Sequence, residues 1–397
     1  CKRRDGVVGG TTRWGGRGGS VTASRGVAAT LVQGRTLHAM LGLGLAKDPL
    51  PQLVRQALNN RKLCHRWRSM DVLIIDEVSM LHPVFFTTVE AVVRAIRGPD
   101  MPFGGLQVVL VGDFFQLPPV LARNLDKNAA EFAFETDVWK TAAFHTVQLT
   151  HAFRQQGDMS FANLLSRVRT ATVTTDDVNS LQKRVDASIE TVDGVIPTRL
   201  HTRRANVGDI NTTHLKLLPE ETSRVFQRLV TTRKEPSAKD ADFDKWVQEA
   251  TRNSQTTETL ELRVGAQVML QTNREDLGLV NGSRGVITKF VGGLPHVQFT
   301  LTSVVVSLHS WDHELENVGV VTFTQIPLQL AWAVTIHKAQ GVSLDMAELS
   351  LDRSVFEFGQ AYVALSRLRT LEGLRLTAFN RDVIRAHPKV IAFYGLS

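Results

Sequence analysis

Four short apolar runs, each ending in polar residues able to do chemistry, constrain this chain more than any other feature. Val72-Leu-Ile-Ile75 runs into Asp76-Glu77, and Val108-Val-Leu-Val111 into Gly112-Asp113. Ile196-Pro-Thr-Arg-Leu200 runs into His201-Thr-Arg-Arg204, and Leu330-Ala-Trp-Ala-Val-Thr335 into His337-Lys338. Apolar runs of this length read as strands buried on both faces of a parallel sheet. In open α/β sheets a ligand lies beyond the carboxyl ends of such strands, where these polar residues fall. Between the runs, Val84, Phe85, Val89, Val92, Val93 and Ile96 recur with a 3.6-residue period. Phe161, Leu164, Leu165 and Val168 do the same. Strands alternating with helices predict an α/β architecture.

At 397 residues the chain has room for two to three domains. Residues 234–258 are polar and read as an exposed connection or surface helix. From Gly265 to Phe323 the texture changes. Val268-Met-Leu270, Gly285-Val-Ile287, His296-Val-Gln-Phe299 and Val304-Val-Val-Ser-Leu308 read as short strands, with a hairpin signal at Asn281-Gly282. A small β module is therefore inserted before the α/β pattern resumes at Pro327. Residues 1–20, with seven glycines, read as a flexible loop. The apolar residues of Lys389–Ser397 read as an end that docks on a core.

The net charge of +7 is local: residues 1–35 hold seven basic residues against one acid, leaving +1 over the rest. Two cysteines, Cys1 and Cys64, exclude a disulfide framework. No apolar run approaches the ~20 residues needed to span a bilayer. The 12 histidines are scattered, no Cys/His cluster has ligand spacing, and no nucleophile elbow occurs.

Six stretches carry chemistry. In Leu73-Ile-Ile-Asp-Glu-Val-Ser-Met80, acids at a strand end suit a nucleotide hydrolase, with Asp76 holding Mg²⁺ and Glu77 polarising the attacking water. The competing reading is a strand end with two solvated acids. In Val111-Gly-Asp-Phe-Phe-Gln-Leu-Pro-Pro119, Gln116 is placed to hydrogen-bond a γ-phosphate. Leu149-Thr-His-Ala-Phe-Arg-Gln-Gln156 and Ala361-Tyr-Val-Ala-Leu-Ser-Arg-Leu-Arg369 each set an arginine beside an apolar face. Two arginines across a cleft neutralise phosphoryl charge, worth ~10³–10⁵ in rate; singly, each also reads as a surface ion pair. Thr335-Ile-His-Lys-Ala-Gln-Gly341 can reach both a phosphate backbone and a nucleotide, with Gln340 and Gly341 on the nucleotide side. Val21-Thr-Ala-Ser-Arg-Gly-Val-Ala-Ala29 and Gly34-Arg-Thr-Leu-His38 offer hydroxyls and backbone N–H groups to single-strand phosphates. His38 is as readily a structural histidine.

Taken in order, these stretches resemble the petite-integration-frequency (PIF-type) helicases, a branch of the superfamily-one DNA helicases that move 5′→3′. The resemblance runs from about Val21 to the C-terminus, roughly 95% of the chain. It is closest in Ile75–Met80, Gly112–Val120, Phe153–Gln156, Ile336–Gly341 and Gln360–Arg367, with further likeness in Phe134-Glu-Thr-Asp-Val-Trp139 and Val280-Asn-Gly-Ser283.

The resemblance implies two RecA-like parallel-sheet domains with a small SH3-like β insertion in the second. The first spans 1–155, the second 156–264 and 324–397, and the insertion 265–323. It implies ATP between the domains, Mg²⁺ at Asp76, Glu77 as catalytic base, Gln116 as γ-phosphate sensor, and Arg154 and Arg367 as arginine fingers. Thr22, His38, Thr335, His337 and Lys338 are implied DNA-backbone contacts. The implied function is ATP-driven translocation and unwinding in repair, recombination, replication or telomere maintenance. Its partners would be single-stranded and forked DNA with no membrane, and it would act as a monomer in nucleus or mitochondrion.

One departure matters. The family opens with a phosphate loop ending Gly-Lys-Ser/Thr, and no such loop occurs here: Gly10-Thr-Thr-Arg-Trp-Gly15 has the glycine spacing, but Gly16-Arg17 follows. With Cys1 as residue one, the loop is expected upstream, and residues 1–397 alone are expected to lack ATPase activity. Arg25 stands where the family usually has Thr. The alternative reading is a catalytically inactive single-stranded-DNA-binding remnant or interaction module. A helicase domain of a mobile element shares the same stretches.

Overall fold

The computed structural model describes residues 5–8, 11–14, 17–24, 35–43, 46, 48–119, 130–189, 191, 194–202, 204–236, 238–254, 256–274, 277–300, 302–315 and 318–396. Arg25 and most of the stretch from Val21 to Ala29 lie outside them.

The first lobe is built on one sheet. Strands β1 (Asp5–Val8), β2 (Thr11–Trp14) and β3 (Arg17–Ala23) form an antiparallel meander. β3 then pairs in parallel with β4 (Arg35–Thr36) and β5 (Val72–Asp76), and β5 with β6 (Gln107–Leu110). For residues 5–8, 11–14 and 17–20 the flexible-loop reading of residues 1–20 is thus corrected. Folding the segment back on β3 gives backbone groups of both strands ladder partners that a loose tail would leave to water.

Leu73 and Ile75 of β5 are fully buried, but β6 has no partner on its far side among the described residues. Val109 and Val111 stay exposed there, so apolarity alone misjudged the burial of that run. Further along, Val147, Leu149 and Phe153 are exposed in a segment without regular structure.

Helix α1 (Leu37–Leu41) follows β4 and is capped by Thr36, whose hydroxyl accepts from the Ala39 N–H. Helices α2 (Leu50–Asn59) and α3 (Arg61–Ser69) precede β5. The long helix α4 (Pro83–Arg97) opens with Pro83 in its first turn, where its missing N–H is harmless. Its predicted stripe is buried except Val84, which faces solvent while the adjacent Phe86 is fully buried.

The second lobe holds a four-stranded parallel sheet of β7 (Thr198–His201), β8 (Ala333–Thr335), β9 (Ala347–Leu351) and β10 (Leu374–Phe379), in the spatial order β8-β7-β9-β10. Its core includes Phe161, Leu164, Leu165 and Val168 of the helix Met159–Thr170. The β insertion is present as antiparallel sheets. Gln267–Leu270, Arg284–Val291, Leu294–Phe299, Ser303–Val305 and Leu328–Leu330 form one of five strands. His309–Leu315 and Gly319–Gln325 join instead with Leu229–Lys234, a strand reaching into the stretch read as a polar connection. That stretch also holds the expected surface helix, Asp240–Asn253.

The run Leu330–Thr335 serves two sheets rather than forming one strand. Leu330 pairs with Val268 in the insertion and Ala333 with Arg199 in the parallel sheet. Asn281-Gly282 is a turn, but residues 271–279 separate it from the preceding strand, so it does not close a two-residue hairpin. Gly282 is required there: its φ is +97°, and a Cβ would lie 2.4 Å from Val342. The C-terminal helix Pro388–Phe393 returns to the first lobe, where Phe393 stacks on Phe134 and Val390 is fully buried.

Candidate active site

The end of β5 presents two carboxylates. The Asp76 carboxylate accepts a hydrogen bond from the Glu77 N–H at 2.8 Å. Burial raises its pKa, against the opposing pull of that bond. Glu77 has φ 55° and ψ 48°, a left-handed conformation costly for a residue with a Cβ. The end of β6 holds it there: the Val78 N–H donates to Val111 O at 3.0 Å. Gly112 packs so close that a Cβ would lie 2.9 Å from Val78 N.

After β6 the chain makes a tight turn. The Gln116 N–H donates to Asp113 O at 3.0 Å, and the Phe115 N–H to Asp113 Oδ1 at 3.1 Å. Phe114 and Phe115 are buried below it, and Gln116 projects toward the second lobe.

The second lobe meets these groups directly. Helix α5 (Ile336–Ala339) follows β8, and Gln340 comes at its end. Gln340 Nε2 donates to Glu77 Oε2 at 2.8 Å and reaches Gln116 Oε1 at 3.4 Å. Its own Oε1 is buried without a partner. Arg154 donates from Nε to Ser343 Oγ at 2.8 Å and from Nη1 to Ser366 O at 3.0 Å. Arg367 is 3% exposed and donates to Val363 O and Ser366 Oγ, each at 2.8 Å.

Burial holds both arginines below their ordinary pKa, Arg367 at about 10, and each also feels the Glu77 charge. Neither makes an ion pair among the described residues. A buried cation, Arg367, and a half-buried one, Arg154, neither with a carboxylate partner among the described residues, make a site that favours an anion. Glu77, Gln116, Gln340, Arg154 and Arg367 thus gather in one cleft between the lobes, with Asp76 beside them. Gly341 follows, exposed, with φ +80°.

The groups expected at a DNA strand divide. Thr22 is corrected as a side-chain contact: its side chain is fully buried and its hydroxyl donates to Ile74 O at 2.8 Å. Thr335 is corrected likewise: 4% exposed, its hydroxyl caps the following helix by accepting from the Lys338 N–H. His337 is half-buried and Lys338 exposed on that short helix. His38 lies flat on Phe85, ring centroids 3.7 Å apart, which leaves one ring face taken up by packing.

Burial lowers the His38 pKa from 6.5 to about 4. Between those values the unfolded chain binds the proton and the fold does not, so stability falls as pH drops through that window. Urea midpoints measured from pH 7 to pH 4 are expected to fall less steeply in His38→Gln than in the wild type. Parallel curves would remove His38 as a source of the slope.

Sequence reasoning missed Ser343, Ser366 and Gln155, which hold the arginine segment: Gln155 Nε2 donates to Leu368 O at 2.7 Å. Gln155 and Ser366 sit inside stretches already singled out, beside the arginines, and that adjacency was the available signal. No group of three His, Cys, Asp or Glu residues able to hold a metal occurs among the described residues. A hard cation shared with phosphates needs only one or two protein carboxylates, so Asp76 is compatible with Mg²⁺.

A family model described as PIF1-like helicase matches residues 11–179, and one described as DNA helicase Pif1, 2B domain, matches 251–290. The chain is 41% identical to the ATP-dependent DNA helicase PIF1 of Xenopus laevis over 380 residues, covering 94% of this chain and 56% of the relative. The human protein of the same name is 39% identical over 381 residues, with the same coverage. The chain therefore spans about half the length of these curated relatives.

Among solved structures, the Pif1 helicase of Candida albicans superposes with a TM-score of 0.77 at 33% identity, covering 96% of this chain and 89% of that one. Bacteroides sp Pif1 in complex with ADP-AlF4 gives 0.79 at 31% identity, covering 96% and 87%. Both lobes thus have the RecA-like form of these neighbours. With a solved relative 33% identical over 89% of its length, and family models matching residues 11–179 and part of the β insertion, the chain belongs to the PIF1-like DNA helicase family.

Proposed function

We propose that this protein is the motor region of an ATP-dependent DNA helicase that translocates 5′→3′ on single-stranded DNA and opens duplex. The observation that carries the reading is the cross-lobe contact of Gln340 with Glu77 and Gln116, flanked by the half-buried Arg154 and the buried Arg367, neither in an ion pair among the described residues. These groups fit the γ end of a nucleoside triphosphate. Their cations offset its charge, and Asp76 would hold a divalent ion.

That ion, when bound, neutralises charge developing on the phosphate oxygens. Glu77 orients the attacking water and accepts its proton. Gln116 reaches the terminal phosphate from the first lobe, while Arg154 and Arg367 reach it from the second. Gln340 holds the carboxylate that must accept the proton. Binding of a triphosphate would exchange this contact for phosphate contacts, so the lobes shift with each turnover. His337 and Lys338 lie on the same short helix as Gln340, which ties any strand held there to the state of the cleft.

The partners proposed are single-stranded and forked DNA. Bacteroides Pif1 is described bound to ssDNA, and another neighbour is described as unwinding DNA at forked dsDNA by two coordinating Pif1 helicases. One chain supplies all the cleft groups here, which favours a monomer as the catalytic unit. Nucleus or mitochondrion is the compartment proposed, since a DNA partner needs one that holds DNA; no helix among the described residues is long and apolar enough to cross a membrane.

The test is strand displacement by the full-length protein on forks carrying only a 5′ or only a 3′ tail, with ATP hydrolysis followed in parallel. Unwinding confined to the 5′-tailed fork and dependent on ATP is expected. DNA binding without DNA-stimulated hydrolysis would overturn the motor reading in favour of an inactive DNA-binding module. Lys338→Ala is expected to weaken single-strand binding and reduce the salt slope by about one charge. An unchanged slope removes Lys338 from the DNA path.

A further inference from the structure

The turn that carries Gln116 is gripped from the other lobe. Asp113 starts the turn, and its carboxylate shapes it by accepting the Phe115 N–H. The same carboxylate is held in two-point fashion by Arg169, at the end of the second-lobe helix Met159–Thr170. Nε donates to Oδ2 at 2.9 Å and Nη2 to Oδ1 at 2.8 Å. The pair is largely shielded, the side chains being 24% and 16% exposed.

The guanidinium also lies over the Phe115 ring, 4.5 Å from its centroid, and near the Tyr394 ring at 5.3 Å. Phe115 and Tyr394 stack on each other at 5.1 Å. Tyr362, half-buried five residues before Arg367, has its hydroxyl pKa pushed up by burial and by the Asp113 charge. Gly359 closes the contact: with φ +72°, a Cβ there would lie 2.3 Å from Phe115 O and 2.8 Å from Gln116 O.

The geometry points to Arg169 as a positioning residue that makes the reach of Gln116 depend on where the second lobe sits. The inference rests on the proposed role of Gln116. A two-point, charge-assisted pair has a narrow range of allowed geometry. If the lobes shift, the pair must either break or carry the turn with it. Either way Gln116 moves, because its own N–H is bonded to Asp113 O.

The experiment uses Arg169→Ala, Asp113→Asn and the double variant of the full-length protein. Asp113→Asn keeps an oxygen able to accept the Phe115 N–H but loses the ion pair. Hydrogen exchange at the Phe115 and Gln116 amides is expected to quicken about tenfold in each single variant, from local opening alone. kcat for ATP is expected to fall about 10- to 100-fold. ADP affinity stays as in the wild type, because ADP lacks the phosphate Gln116 would touch.

The double variant should be no worse than the worse single one, since both remove the same interaction. Unchanged exchange in folded Arg169→Ala, or ADP affinity falling in step with kcat, overturns the inference. A wild type without ATP turnover would defeat the proposed function instead, while exchange still decides whether Arg169 grips the turn.

Discussion

Replacing Glu77 by Gln in the full-length protein is expected to lower DNA-stimulated ATP turnover by about 10²–10⁴-fold, the range of a lost general base. The change is isosteric. A glutamine Oε1 can still accept from Gln340 Nε2, so the cross-lobe contact at 2.8 Å need not be lost. The left-handed backbone at position 77 is held by Val78, Val111 and Gly112, not by the carboxylate. Nucleotide and single-strand affinity are therefore expected to stay near wild type while kcat collapses. Steady-state hydrolysis with a fluorescent-nucleotide titration separates the two. Turnover close to wild type would show that the proton is accepted elsewhere.

Arg367→Ala carries the other large effect, about 10³–10⁵-fold in kcat if the guanidinium meets phosphoryl charge in the transition state. Its site is already prepared: the side chain is 3% exposed and fixed by Val363 O and Ser366 Oγ. Truncation leaves the buried carbonyl of Val363 without this donor, so some stability is also lost. Arg367→Lys controls for that loss. It keeps the charge but cannot make both contacts from one planar fork. Thermal midpoints near wild type with turnover still down by more than tenfold would assign the loss to chemistry. Turnover that recovers fully in Arg367→Lys would mean that charge alone is needed and the fork geometry is not.

Much of this site was legible because its residues are bound to local sequence. Asp76 and Glu77 end an apolar run, and the Gly-Asp-Phe-Phe-Gln turn follows another. Such positions are fixed by strand length and turn chemistry within a few residues. Burial was legible where periodicity repeats, as along Pro83–Arg97, though Val84 and Phe86 exchanged places. It was not legible in Val108–Val111, because strand apolarity does not reveal whether a neighbour lies on each side. Thr22 and Thr335 misled for a related reason. A hydroxyl near a strand end serves a ligand or the fold, and only packing decides which.

The sequence by itself determined the α/β alternation, the β insertion, and which residues could meet a phosphate. The tertiary structure alone decided that Gln340 touches Glu77 across 263 residues of chain, that Arg169 holds Asp113, and that the C-terminal helix returns to the first lobe. Local preferences act over a turn or a strand. Contacts between lobes depend on how two complete cores set their surfaces against each other, and no short window of sequence carries that information.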